Sequence, residues 1–173
     1  KAAAAIHAKL LGSFEQVSGF GKHPTAQQVL ECPNEQLRAA GLSHNKALAI
    51  RDLAAKTVDG TVPSITRIKK MDDDAIIEHL TQVRGVGRWT VEMFLMFRLG
   101  RPDVLPVSDY GVRKGYALTF QGLKPDAKVT PDLLPRPEVM ERRARKWAPW
   151  RSVASWYLWR ACDLAAGKGV QPE

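Results

Sequence analysis

Val83-Arg84-Gly85-Val86-Gly87-Arg88-Trp89-Thr90 joins two segments whose apolar residues recur at helical spacing. Upstream, Ile76, Ile77, Leu80 and Val83 fall on one helix face. Downstream, residues 88–99 predict a second helix; its stretch from Val91 to Phe97 is apolar nearly all round and belongs in the middle of a core. Two glycines in so short a connection let the backbone turn tightly and approach a ligand with no side chain in the way. The start of the second helix then offers free N–H groups to a phosphate. Ahead of the first helix, Asp72-Asp73-Asp74 invites a metal-site reading. A helix start explains the run better, because Asp72 is a good N-cap and acids in a first turn are favoured by the helix dipole.

Helical spacing continues on both sides of this turn, while Val, Ile and Thr are sparse and do not alternate with polar residues as strands require, so the chain is predicted to be all-α. Residues 2–11 predict a helix ending at Gly12, and Thr25–Glu31 and Asn34–Ala40 two short ones. Ser43 caps a longer helix with Ala47, Ile50, Ala54 and Val58 on one face, and residues 61–70 form a connection. Beyond Gly100 and Pro102, Ser108-Asp109 starts another helix; Pro125, Pro131, Pro135 and Pro137 then leave 121–137 without a long element. Residues 138–147 form a short basic helix. The last helix starts at Trp150 and carries Trp150, Val153, Ala154, Tyr157, Leu158, Ala161 and Ala165 on one apolar stripe, with Trp147, Trp150, Trp156 and Trp159 assigned to core packing.

The chain has 173 residues, enough to bury a full core, and its 45% hydrophobic content excludes a disordered chain. Lys plus Arg number 26 against 18 Asp plus Glu, a net charge of +8 that points to an anionic partner, nucleic acid ahead of a membrane surface. Cys32 and Cys162 stand far apart and His7, His23, His44 and His79 are scattered, so neither a disulfide framework nor a zinc or iron–sulfur cage is expected. No apolar run is long enough to cross a bilayer. Lys1 opens the chain and Ala2–Ala5 has the character of a helix interior, so an N-terminal segment is expected to be missing.

Three blocks in this order carry a resemblance: the helix–Gly85-Val86-Gly87–helix unit, Leu105-Pro106-Val107-Ser108-Asp109-Tyr110, and Trp147 through Trp159, preceded by Gly41-Leu42-Ser43 with Lys46 and Ala47. Together they resemble the helix-hairpin-helix DNA glycosylase superfamily, in its 3-methyladenine DNA glycosylase II branch. The resemblance implies one glycosylase domain over residues 1–173, built as two helical subdomains with a cleft between them. It implies that Asp109 is the catalytic aspartate, a fixed carboxylate that stabilises the positive charge developing on the sugar as the N-glycosidic bond breaks; the alternative role for an aspartate there is a helix cap. It places Trp89 and Tyr110 in the base pocket, and Gly85, Val86, Gly87, Arg88, Thr90 and Arg151 on DNA. The carbonyls of Thr81, Val83 and Val86 would hold a structural monovalent cation, sodium or potassium.

Bifunctional members of the superfamily carry an attacking lysine where this chain has Trp89, so a monofunctional enzyme without lyase activity, catalytic cofactor or iron–sulfur cluster is expected. An electron-rich indole attracts the cationic purines that alkylation produces. The expected substrate is therefore double-stranded DNA bearing alkylated purines of the 3-methyladenine and 7-methylguanine type, reached by base flipping. Two readings stay open beside it: a glycosylase for deaminated, etheno or mismatched bases, and a non-catalytic helix-hairpin-helix DNA-binding module. The protein is expected to be a monomer with no membrane partner, in the cytoplasm with the nucleoid of a bacterium or the nucleus of a eukaryote.

Overall fold

Side-chain caps start the helices at Ala26, His44, Ile65, Asp73 and Tyr110. In the computed structural model, which describes residues 2–15 and 23–168, every regular element is helical. The chain divides into two compact units, residues 1–91 and 92–173. The first holds α1 (Ala2–Glu15), α2 (Ala26–Glu31), α3 (Asn34–Ala39), α4 (His44–Val58), α5 (Ile65–Ile68), α6 (Asp73–Leu80) and the start of α7 (Arg88–Phe97). The second holds the rest of α7, then α8 (Tyr110–Phe120), α9 (Pro137–Ala144) and α10 (Arg151–Ala165), with single 3-10 turns at Pro131–Leu133 and Arg145–Trp147.

In the first unit, Thr25, Ser43, Ser64 and Asp72 each accept a backbone N–H three residues ahead, satisfying one of the donors a helix start leaves orphaned. Asp72 is thus the cap that its acidic run suggests, its Oδ1 2.8 Å from the Ala75 nitrogen. Gly41, at φ +97°, makes the reversal into the Ser43 cap. At the other end of α2, the Arg51 guanidinium donates to the carbonyls of Leu30 and Cys32. Phe14, Val29, Leu37, Ala47 and Ala54 form the core of the unit.

Three boundaries differ from the sequence expectation. Helix α1 runs through Gly12 to Glu15, because the buried Phe14 packs into the core and Gly12 keeps a helical backbone. The 61–70 connection contains a capped turn of helix, α5. Val58 is exposed at the end of α4, whose buried positions stop at Ala54. Lys1 lies outside the described residues.

The second unit is organised by the contact of α8 with α10. A Cβ placed on Gly115 would lie 2.0 Å from the carbonyl oxygen of Leu158, and one on Gly111 2.6 Å from the Trp159 ring. Glycines four residues apart share one helix face, so α8 presents bare backbone to α10. Val112, Tyr116, Met140 and Leu158 fill the core around that contact. The stripe expected on α10 is corrected: the buried positions are Ser155 and Leu158, while Trp150, Val153, Trp156 and Tyr157 are exposed. The small Ser155 is buried because the helices come so close, and its hydroxyl is satisfied by the Arg151 carbonyl, 2.8 Å away.

Helix α7 is likewise buried on one side only. Val91, Glu92 and Leu95 are buried, whereas Phe97, in the last turn before Gly100 reverses the chain at φ +67°, is 68% exposed. An apolar sequence all round did not produce burial all round.

Gly115→Ala is expected to cost about 2 kcal/mol in urea unfolding, since overpacking against fixed backbone costs roughly 1–3 kcal/mol or more and outweighs the ~1 kcal/mol that alanine gains over glycine in a helix. Gly12→Ala, with nothing within 4 Å of the new methyl group, is the control and should leave stability unchanged or raise it slightly.

Candidate active site

The hairpin belongs to the first unit. Its turn closes with the Val86 N–H donating to the Val83 carbonyl at 3.0 Å, and Gly85 takes φ +74°, which side chains disfavour. Gly87 has a different reason to be glycine: a Cβ there would meet nothing within 4 Å, so its backbone faces open space that a ligand can enter. Val83 is buried and anchors the turn. Arg88, Trp89 and Thr90 form the exposed first turn of α7, with Trp89 48% exposed. Arg88 lies 4.0 Å from the Asp74 carboxylate, a surface pair that adds little stability.

Asp52 on α4 was not found by sequence reasoning, and it holds this turn. Its Oδ2 accepts the Arg84 N–H at 2.7 Å and the Lys56 ammonium at 2.6 Å. The Arg84 N–H first, and the Lys56 ammonium second, hold the Asp52 carboxyl below the usual carboxylate range. In sequence, Asp52 and Lys56 look like an ordinary i,i+4 surface pair, and nothing links position 52 to position 84.

In the second unit Asp109 is the N-cap of α8, its Oδ1 accepting the Val112 N–H at 2.7 Å. The cap role weighed against catalysis is therefore present in the geometry. The same oxygen also accepts the indole N–H of Trp159 at 2.8 Å, and this bond from a neighbouring helix fixes the carboxylate well beyond what capping needs. Trp159 stacks on Phe97 with ring centroids 5.8 Å apart. Both rings wall a cavity of about 460 Å³ whose other aromatic sides are Trp150, Trp156 and Tyr157. Sequence reasoning placed these tryptophans in the core; Trp159 does pack against it while donating to Asp109, whereas Trp150 and Trp156 are exposed. Tyr110, next to Asp109, is 57% exposed.

Arg151, expected on DNA, has an acidic partner in the structure. Its guanidinium donates twice to Asp103, at 2.7 and 2.8 Å, and its backbone N–H donates to the same carboxylate at 3.2 Å. The pair holds Asp103 below the usual carboxylate range and pushes Arg151 further up. Beside it, Ser152 Oγ accepts the Val104 N–H and donates to the Arg101 carbonyl. Arg151 thereby ties the 101–104 segment to α10, a structural task that occupies the face of the guanidinium best suited to a phosphate.

Gly85, Val86, Gly87, Arg88, Trp89 and Thr90 are thus contiguous with Thr81 and Val83 in the first unit, and Asp109, Tyr110 and Arg151 lie in the second. Among the described residues no group of three His, Cys, Asp or Glu could hold a metal ion, and no helix is long and apolar enough to cross a membrane. Burial pushes both the Cys32 and Cys162 thiols up, so neither is poised as a nucleophile.

The Asp52 latch carries a sign. A carboxyl held low in the folded state stabilises above the ordinary carboxylate range, near ~3.9, and its contribution is lost as pH falls through the folded value. Hydrogen exchange should show the Arg84 amide protected at pH 6 and markedly less protected in Asp52→Ala, with Asp52→Asn, which keeps an acceptor oxygen, in between. Equal protection in all three would show that Asp52 does not hold the hairpin.

Known proteins resemble this chain over most of its length. Residues 1–148 match the family model described as HhH-GPD superfamily base excision DNA repair protein. DNA-3-methyladenine glycosylase 1 of Schizosaccharomyces pombe is 32% identical over 173 residues, an alignment that takes in 97% of this chain and 72% of that protein. The structure of a 3-methyladenine DNA glycosylase from the same yeast in complex with abasic DNA superposes with a TM-score of 0.71 at 33% identity, covering 91% of this chain and 70% of that one. A DNA-3-methyladenine glycosidase from Bacillus halodurans gives 0.78 at 30% identity, covering 96% and 70%. With its glycine hairpin and its doubly anchored aspartate, the chain belongs to the HhH-GPD superfamily of base excision DNA repair proteins, in the 3-methyladenine DNA glycosylase branch.

Proposed function

We propose that this protein is a monofunctional DNA glycosylase that hydrolyses the N-glycosidic bond of alkylated purines in double-stranded DNA. The observation that carries the reading is the Asp109 carboxylate, fixed through Oδ1 by the Val112 N–H and the Trp159 indole. Breaking the bond between sugar and base leaves electron deficiency at C1′, and a carboxylate already held in place stabilises that charge without reorganising. Water then completes the hydrolysis, with the base leaving and an abasic site remaining.

Alkylation at a ring nitrogen makes the purine cationic and a better leaving group. Recognition by charge and ring stacking then suffices, and Trp89 and Tyr110 supply exposed aromatic surface for it. The target nucleotide must leave the duplex for its base to be held by aromatic side chains in this way. With Trp89 where a lysine nucleophile would stand, no Schiff base forms and the strand is not cut. The reading needs no catalytic cofactor and treats the protein as a monomer.

On the DNA side, the open Gly87 backbone and the first turn of α7, with Gly85, Val86, Arg88 and Thr90, receive phosphates. A structural sodium or potassium ion fits the carbonyls of Thr81, Val83 and Val86 chemically: all three are hard oxygen donors, and Thr81, the C-cap of α6, belongs to a helix end whose carbonyls lack intrahelical donors. The ion's role is to hold the hairpin and share a phosphate's charge; no chemical step passes through it.

Release of free base from methylated duplex DNA tests the assignment. Asp109→Asn should lower the rate by about 10²- to 10³-fold, the size of one lost preorganised electrostatic contact, while binding to the same duplex is retained. Trp159→Phe keeps the ring and deletes the hydrogen bond, and should cost about tenfold or more, since a hydrogen bond to a charged group contributes ~1.5–3 kcal/mol. Unchanged release by Asp109→Asn overturns the catalytic role, and strand nicking or borohydride trapping by purified protein overturns the monofunctional one.

A further inference from the structure

A second concave site lies in the same unit at the far end of α8, and the reaction above does not use it. Asp109 caps the start of that helix and Phe120 ends it, which separates them by about 16 Å at a rise of about 1.5 Å per residue. Around Phe120 lies a cavity of about 470 Å³, within the roughly 300–1,000 Å³ range of small-ligand sites. Its wall is aromatic. Phe120 stacks on Trp147 with centroids 5.8 Å apart, and the buried Tyr116 meets Phe120 edge-on at 5.1 Å.

The rim is basic. Arg142, Arg143 and Lys146 line the cavity, and no acidic side chain does. Arg143 stands over Phe120, its guanidinium carbon 3.9 Å from the ring centroid, a cation–π contact that holds its charge against the aromatic wall. Arg142 and Lys146 are exposed, and among the described residues no ion pair joins them to Glu138 or Glu141, the acids of α9. Three cations around an aromatic wall, with no counter-charge among the lining residues, form a site for an anion attached to a flat ring. Positive charge interleaved with aromatic rings is the composition by which proteins hold unpaired nucleotides, the rings taking the base and the cations the phosphate.

We propose that this cavity binds a nucleoside monophosphate unit, with the phosphate between Arg142 and Lys146 and the base against the exposed parts of Phe120 and Trp147. The unit has two sources, a free mononucleotide or an unpaired nucleotide within a DNA strand. Choosing a nucleotide among phosphate-bearing planar ligands rests on the base excision reading, whereas the cation–aromatic site itself does not.

Calorimetric titration of the full chain with inorganic phosphate, dTMP and a short oligothymidylate tests this. Wild-type protein should bind dTMP at least about tenfold more tightly than phosphate, through the added base contact. The oligonucleotide binding more tightly than dTMP assigns the site to a DNA strand, and equal binding assigns it to the free nucleotide. Arg142→Ala/Lys146→Ala, both exposed and so not expected to disturb folding, should weaken dTMP binding at least about tenfold, while Asp109→Asn should leave it unchanged. Chemical-shift changes on adding dTMP should centre on the Trp147 indole N–H. Absence of dTMP binding, binding no tighter than phosphate, or binding that survives the double substitution each overturns the proposal. Loss of dTMP binding in Asp109→Asn would place the nucleotide in the catalytic site instead and overturn it as well. Base release is measured separately, so failure of this site leaves the glycosylase reading standing.

Discussion

The bare-backbone contact between Gly115 and the Leu158 carbonyl sets the geometry of the second unit. Only helices brought together this closely put the Trp159 indole within 2.8 Å of the Asp109 carboxylate, because Trp159 follows Leu158 directly and Asp109 lies six residues before Gly115. Packing and chemistry therefore meet in one atom. Asp109 Oδ1 ends the α8 hydrogen-bond ladder at one side and receives the α10 tryptophan at the other. A methyl group at Gly115 would push α10 outward and carry the tryptophan donor with it.

That arrangement also bears on which role a carboxylate can take. An oxygen that already accepts two hydrogen bonds is held firmly but has little lone-pair capacity left for a proton. Proton abstraction wants an accessible, partly free oxygen, whereas stabilising positive charge at C1′ wants a charge that stays where it is. Under the glycosylase reading proposed above, the two hydrogen bonds accepted by Asp109 Oδ1 suit the second task. Being an N-cap and being catalytic are then not competing explanations, because the cap contributes the rigidity that electrostatic stabilisation requires.

The parts of this molecule legible in the sequence are those fixed by neighbours in the chain. Ser43 and Asp72 announce helix starts because a cap bonds three residues ahead, and Gly85 announces the hairpin because its φ is incompatible with most side chains. What escaped was set by partners distant in sequence. The stripe on α10 rests on hydrophobicity alone: its Leu158 is buried, but its Trp150, Val153 and Tyr157 are exposed, because the buried face is the one that fits the glycines of α8 and it includes Ser155. The Asp52–Arg84 bond spans 32 positions and leaves no periodic trace. Trp159 was read as core because tryptophan usually is, and only its indole N–H pointing at Asp109 gives it a different meaning.

Net charge shows the same division between count and placement. A surplus of +8 suggested an anionic partner, yet several cations that make up the sum are occupied inside the fold. Arg151 is committed to Asp103, Arg51 to the carbonyls ending α2, Arg113 to the Pro135 carbonyl and Arg160 to Asp163. Such residues orient structure and release few counterions when DNA arrives, so they add little to the salt dependence of binding. Other cations stay exposed along the chain, among them Arg88 in the first turn of α7 after the glycine hairpin and Arg142, Arg143 and Lys146 around Phe120. The cations that the fold leaves exposed, rather than the formal sum, are the ones a polyanion can meet, so the positions of those charges carry more information than the surplus itself.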